Sequence, residues 1–398
     1  MHAAQARTLG PYELLEPIGE GGFARVHHAR KDGRSFAIKI LSPSVRDAQT
    51  ESRFAREVAA LGALKHPNLI ELCDHGVDPV HGPYLVMPLV SGMSLRDLAR
   101  GGAGGIAPEA ALLLIEPVLR ALSVLHAASL VHRDVKPENV LVTPLGEVIV
   151  VDLGLALHEA HSRLTEAGTI TGSVPYMSPE QIEGRSITAA SDLWSIGVVL
   201  YELITGRRPF ARERPSEELA SILASSFEPL DAADRRVGPE LAAFVARCLS
   251  RNAQDRFRDA ASALEELSAC FDWITPRELR AERTKVVTDP RGYAGHVAPK
   301  RAALLVSEAK EMLRGGDPFG ALRVLDRALA YAPSDPEVLA LVDRASEGRS
   351  LPPEPAREPP EDPGARSIGE VDTLPAKSLA RTLRLLVSAP SKRRAPPK

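Results

Sequence analysis

Apolar and polar residues alternate over positions 11–29 and again over 34–42, the period-two pattern of half-buried strands. Asp32-Gly33 falls between the two runs, and an Asp-Gly pair in that place predicts a tight hairpin turn. Over 51–64 the period lengthens to that of a helix, through Phe54, Val58, Leu61 and Leu64. Two more strands are predicted at 69–74 and 83–87. Beyond Ser94 the pattern turns mostly helical, over 95–100, 108–127, 189–205 and 238–249, with short strands at 140–142 and 147–151. The expected class is α+β. A small β-rich lobe with one helix is joined near 88–92 to a larger α-rich lobe.

The pattern also divides the rest of the chain. Periodicity fades over 272–298, which reads as a linker. Helical patterns return over 300–314, 319–332 and 336–345. Six prolines fall within 351–364, a composition that favours an extended or disordered segment. An amphipathic helix fits 374–387, and residues 371–398 hold seven Lys/Arg against one Asp. The expected division is therefore an extension over 1–11, a main domain over 12–271, the linker, a helical segment over 299–346, a Pro-rich stretch over 347–373 and a basic tail over 374–398.

Composition narrows the class. Of 398 residues, 44% are apolar and 25% charged, as in ordinary globular proteins. A net charge of −3 gives no footprint for nucleic-acid binding. Cys73, Cys248 and Cys270 lie far apart, without disulfide or metal spacing, so a cytoplasmic location with small apolar core cysteines is expected. No apolar run opens the chain as a secretory signal would. The most apolar stretch, 110–125, carries Glu116, Pro117 and Arg120, and reads as a buried helix and not as a membrane span.

The densest chemistry lies in His132-Arg133-Asp134-Val135-Lys136-Pro137-Glu138-Asn139. Asp134 can accept a proton from a hydroxyl, Lys136 can neutralise a transferring phosphate, and Asn139 can hold a metal ion. Thirteen residues beyond Asn139 comes Asp152-Leu153-Gly154, a second hard-oxygen ligand. These motifs resemble the catalytic loop and metal motif of the eukaryotic-like (Hanks-type) serine/threonine protein kinases, and the composition and tail resemble the bacterial members most.

That resemblance implies a bilobal kinase fold, ATP, and Mg²⁺ with Mn²⁺ as a substitute ion. Gly19-Glu20-Gly21-Gly22-Phe23-Ala24-Arg25-Val26 between two strands is similar to the kinase Gly-rich loop, with Ala24 in place of the third glycine. Glycines let backbone N–H groups approach phosphates. Ile18 precedes this loop, and Val26 would cover one face of adenine. Lys39, in Ala37-Ile38-Lys39, would hold the α/β-phosphates and pair with Glu57. Met87 would be the gatekeeper of the hinge. Pro88 keeps the carbonyl and Val90 the N–H that adenine needs, and Leu141 completes the nucleotide contacts. Asp134 would orient the attacking hydroxyl and take its proton, while Asn139 and Asp152 hold the metal. Lys136 at this spacing is typical of serine/threonine specificity.

Further on, 172–180 resembles the end of an activation segment, with Ser173 where Thr is common and Ser178 where Ala is usual. Glu180 and Arg256 would form a structural ion pair, and Asp192 would brace the catalytic loop. Arg133 beside the base suggests control by phosphorylation at Thr165, Thr169 or Thr171, of which Thr169 and Thr171 are favoured. Residues 302–335 resemble one tetratricopeptide repeat through Ala309, Met312, Gly316, Ala321, Ala328 and Pro333. A single repeat cannot bury its apolar face alone, so it should pack on the lobe, dimerise or bind a protein partner. The expected activity is phosphorylation of protein substrates, including the chain's own activation segment. The alternative is a pseudokinase scaffold acting through its helical tail.

Overall fold

The computed structural model describes residues 7–20, 24–41, 58–100, 104–152 and 174–352. Gly21, Gly22, Phe23, Glu57, Leu153, Gly154, Thr165, Thr169, Thr171, Ser173 and the expected 374–387 helix lie outside them. The first lobe is an antiparallel sheet of β1 (Arg7–Leu9), β2 (Tyr12–Glu20), β3 (Ala24–Lys31), β4 (Arg34–Leu41), β5 (Asp74–Asp78) and β6 (Gly82–Pro88). Their order is β1-β2-β3-β4-β6-β5. The β3–β4 hairpin turns at Asp32 and Gly33, with φ of 49° and 74°, and Lys31 pairs with Arg34. Two consecutive positive φ values are what a two-residue hairpin turn demands.

Strand alternation then sorts the side chains. Val26 pairs with Lys39, and Lys39 with Leu85, while Ala37 pairs with Met87. Directly opposed residues share a face, so Val26, Ala37, Lys39, Leu85 and Met87 line one side of the sheet. Ile38, Val86, Ala29, Tyr12 and Leu14 form the apolar cluster on the other.

The second lobe is built on two helices. Pro108–Ala127 and Ala189–Thr205 are buried nearly all round, the signature of core helices. Pro108–Ala127 is long and apolar enough to cross a membrane, but its most apolar 18-residue window is 72% buried inside the protein. A small sheet, β7 (Met93–Ser94), β8 (Val140–Val142) and β9 (Val148–Val150), sits between the lobes.

Three expectations are corrected. The strand read over 69–74 starts only at Asp74. Leu69 and Ile70 are buried instead against β9, where the Ile70 N–H donates to the Val150 carbonyl at 2.9 Å. Cys248 is buried, but Cys73 is exposed. Its strand neighbourhood ends at a sheet edge, where alternate side chains face water. The stretch 272–298, read as a linker, carries the helix Leu279–Thr288 and the start of Tyr293–Arg314. Val286, Val287, Tyr293 and Val297 there join the main core. Four apolar anchors in a polar stretch were too sparse to show as periodicity.

Helices Tyr293–Arg314, Pro318–Tyr331 and Pro336–Ser346 close a second, smaller core. Ala309, Ala321 and Ala328 are fully buried in it, as close helix contact requires. This segment packs on the large lobe through a buried polar cluster. Glu109 accepts from the Tyr331 hydroxyl at 2.6 Å and faces Arg301 Nε at 3.0 Å, and Arg301 also donates to Asp272 at 2.7 Å. Burial pushes the Glu109 carboxyl up, against the pull of Arg301. Arg301→Ala should therefore strand a buried carboxylate and cost about 3 kcal/mol or more. Differential scanning calorimetry of the full chain should show a lower Tm, partly restored by adding Glu109→Gln. An unchanged Tm would show the cluster to be energetically idle.

Candidate active site

The loop 132–139 joins the end of the Pro108–Ala127 helix region to β8. Asp192, in the first turn of Ala189–Thr205, holds its start. The Asp192 carboxylate accepts from the backbone N–H of His132 and of Arg133, both at 2.8 Å, and bonds His126 Nε2 at 2.9 Å. Arg133 sits at φ 69°, an uncommon conformation for a side-chain-bearing residue. The two N–H bonds to one carboxylate over-determine it. His132 is fully buried. Its Nε2 faces the Val151 carbonyl at 3.3 Å, and its Nδ1 accepts from the Asp134 N–H at 3.3 Å. That assigns the proton to Nε2.

Asp134, Lys136 and Asn139 come together at one carboxylate. Lys136 Nζ donates to Asp134 Oδ2 at 2.6 Å and Asn139 Nδ2 at 3.0 Å, while Asn139 Nδ2 also reaches the Asp134 carbonyl at 2.8 Å. With its NH₂ group committed, Asn139 offers only its amide oxygen as a ligand. The Val151 N–H donates to the Asn139 carbonyl at 2.9 Å, so β8 and β9 deliver Asn139 and Asp152 as a pair. Asp152 has φ 58° and forms an ion pair with Lys39. Lys39 is 8% exposed, and that pair joins the two lobes across the cleft. Behind it, Leu61, Ile70, Leu72, Leu85 and Met87 line an apolar recess.

Ile18 is exposed at the lip of the cleft. Glu20 and Arg25 pair at 2.8 Å where the strands leave the Gly-rich turn. Ala24 and Val26 follow on β3, Pro88 ends β6, and Leu141 lies mid-β8. Val90 lies just past β6, between the lobes. The donor set fits a hard cation shared with a nucleotide. Asn139 and Asp152 supply two oxygen ligands, and no group of three or more His, Cys, Asp or Glu that could hold a metal occurs among the described residues. Such an ion takes its remaining oxygens from phosphates and water.

Glu180 and Arg256 meet in bidentate geometry, at 2.8 and 3.0 Å. Arg256 also donates to the carbonyls of Ser250, Ala190 and Arg251. Gln181 Nε2 bonds the Arg133 carbonyl at 2.9 Å, tying this region to the catalytic loop.

One cluster escaped the sequence. Arg96 donates to Glu138 at 2.8 Å and to Glu202 at 2.6 Å, and also reaches Tyr176. The Tyr176 hydroxyl donates to Glu202 at 2.6 Å. Burial, with Glu202 beside it, pushes that phenol far above its usual range. Only the position of Glu138 inside the catalytic loop hinted at it.

The profile of the protein kinase domain family matches residues 12–267. This chain belongs to the protein kinase domain family. That family uses ATP and a divalent metal. The kinase is 35% identical over 274 residues to the probable serine/threonine-protein kinase SCO3848 of Streptomyces coelicolor, covering 67% of this chain and 41% of that one. It is 34% identical to the serine/threonine-protein kinase PknB of Mycolicibacterium smegmatis, with 70% and 46% covered. The chain thus spans less than half the length of these curated relatives. Among solved structures it is similar to Rad53 1–466 in complex with AMP-PNP, with TM-score 0.54, 27% identity and 64% of each chain covered. It also resembles the PknI kinase domain of Mycobacterium tuberculosis, with TM-score 0.54 and 22% identity, covering 68% of this chain and 99% of that one. The second likeness shows the fold alone.

Proposed function

We propose that this chain is a serine/threonine protein kinase that transfers the γ-phosphoryl group of ATP to hydroxyls of protein substrates. The observation that carries the proposal is the convergence of Lys136 and Asn139 on the Asp134 carboxylate, across the cleft from the Lys39–Asp152 pair. A pseudokinase scaffold is less favoured, because Lys39, Asp134, Asn139 and Asp152 are all present and placed together.

In this reading Asp134 orients the substrate hydroxyl and takes its proton, and Lys136 beside it neutralises the transferring group. Lys39, with Glu57 as its expected second partner, anchors the α/β-phosphates. Asn139 and Asp152 hold Mg²⁺, or Mn²⁺ in its place. The bound ion supplies positive charge against the phosphoryl oxygens. Val26, Ala37, Met87 and Leu141 enclose the adenine, with the Pro88 carbonyl and Val90 N–H as its polar contacts. Asp192 braces the loop, and Glu180 with Arg256 anchors the end of the activation segment. Thr169 or Thr171 is the favoured site of self-phosphorylation. The 299–346 segment is read as tetratricopeptide-like, open to a protein partner or a second copy, and the protein as cytoplasmic.

The test is incubation of the purified chain with radiolabelled ATP and Mg²⁺, beside Lys39→Met. Wild type should label itself on threonine or serine, and mass spectrometry should place phosphate within 165–173. Equal labelling of Lys39→Met would sink the assignment.

A further inference from the structure

The helix Leu279–Thr288 follows the residues matched by the family profile, yet it lies against the catalytic hairpin. Its Arg283 Nε donates to the Gly146 carbonyl at 3.2 Å, and the Thr284 hydroxyl donates to the Leu145 carbonyl at 3.1 Å. Arg280 pairs with Glu147 at 3.0 Å. The Arg283 guanidinium also lies 3.6 Å from the buried Glu116 carboxylate of Pro108–Ala127. All three backbone and ion contacts fall on residues 145–147, the turn between β8 and β9.

The fit is close. Gly146 has φ +74°, and a Cβ there would come within 2.8 Å of the Thr284 backbone nitrogen. A side chain at this position is thus excluded twice, by conformation and by the helix backbone. Val286 and Val287 are buried in the main core, so the helix is fixed from its other side and cannot simply follow the turn.

The location gives the contact its meaning. β8 begins one residue after Asn139, and β9 ends two residues before Asp152. Each strand has only three residues, and so short a pair is weak on its own. Fraying at the turn would propagate within about 10 Å to both ends of the hairpin. Those ends carry the two oxygen ligands.

We propose that Leu279–Thr288 is a clamp on the catalytic hairpin, with Arg283 and Thr284 as positioning residues that hold Asn139 and Asp152 at the spacing a metal–nucleotide requires. The catalytic unit then extends past the family domain to Thr288. The metal part of this inference rests on the kinase reading above; the clamping of the hairpin does not.

The experiment uses the full chain and three variants: Arg283→Ala/Thr284→Val, Thr284→Val alone, and Arg283→Lys. Two quantities are read. The first is the Mg²⁺ concentration giving half-maximal phosphorylation at saturating ATP. The double variant should need about tenfold more, the scale of losing support behind a metal ligand. Thr284→Val, which loses one hydrogen bond, should shift less, and Arg283→Lys should stay near wild type. The second is amide hydrogen exchange over 140–150, which should quicken in the double variant while exchange in Ala189–Thr205 does not. A merely structural role would lower the Tm and leave the metal midpoint and the relative exchange untouched, and that result overturns the clamp. Should the double variant fail to fold, Thr284→Val with unchanged exchange overturns it equally. A wild type without metal-dependent transfer would remove the kinase reading instead, and exchange over 140–150 then decides the clamp by itself.

Discussion

Replacing Asp134 with Asn should lower kcat by about 10²–10⁴, the usual contribution of a positioned general base, and leave KM for ATP within about twofold. The change is nearly isosteric. Asp134 Oδ2 accepts from Lys136 at 2.6 Å and Asn139 at 3.0 Å, and an amide oxygen in its place can still accept both. What it cannot do is take a proton. The loop geometry is set elsewhere, by Asp192 on the His132 and Arg133 N–H groups and by His132 on the Asp134 N–H. The variant should therefore fold and bind nucleotide normally. Steady-state kinetics with a generic protein substrate separate the two parameters. A kcat within twofold of wild type, with nucleotide affinity unchanged, would remove Asp134 from the proton-transfer role.

Local and periodic signals were legible. The Asp32-Gly33 turn, the 108–127 and 189–205 helices and the catalytic loop each depend on residues close together in sequence. The helix Pro108–Ala127 was read to the residue because its apolar face is continuous and Pro108 opens it. What stayed hidden depends on distant partners. Arg96, Glu138, Tyr176 and Glu202 come from four separate elements, and nothing in their local patterns marks them as neighbours. The same holds for Glu109 with Arg301 and Tyr331, which join residues on opposite sides of the supposed linker. That linker was misread for a related reason. Its helix is held by Val286 and Val287 and by polar contacts to the β8–β9 turn, so it lacks the broad apolar stripe that periodicity detects. Glu57 and the activation-segment threonines fall outside the described residues, and their assignment rests on motif position.

Arg256→Met should destabilise the protein by about 3–5 kcal/mol at neutral pH, the scale of a buried pair losing one partner. Glu180 is 3% exposed and would keep only the Ser191 hydroxyl, which donates to it at 2.6 Å. Burial alone would push the Glu180 carboxyl up. The hydrogen bonds and charge of Arg256 outweigh that and hold it below the usual carboxylate range. A depressed folded pKa stabilises above the unfolded value, and that contribution is lost as pH falls through the folded one. In the variant the sign reverses, because a buried carboxylate without its cation is easier to bury protonated. The stability difference between wild type and Arg256→Met should thus be largest near pH 7 and shrink toward pH 4. Urea unfolding at the two pH values reads this directly, and an equal deficit at both would mean that lost packing of Arg256 on Trp194, 4.9 Å from guanidinium to ring, and not the lost charge pairing, is what the substitution removes. Adding Glu180→Gln should recover much of the deficit, since the pair replaced together leaves no buried charge behind. Activity should fall with Arg256→Met beyond what unfolding explains, because the residue after Glu180, Gln181, bonds the Arg133 carbonyl in the catalytic loop. Loss of the ion pair is then transmitted through one side chain to the backbone beside Asp134.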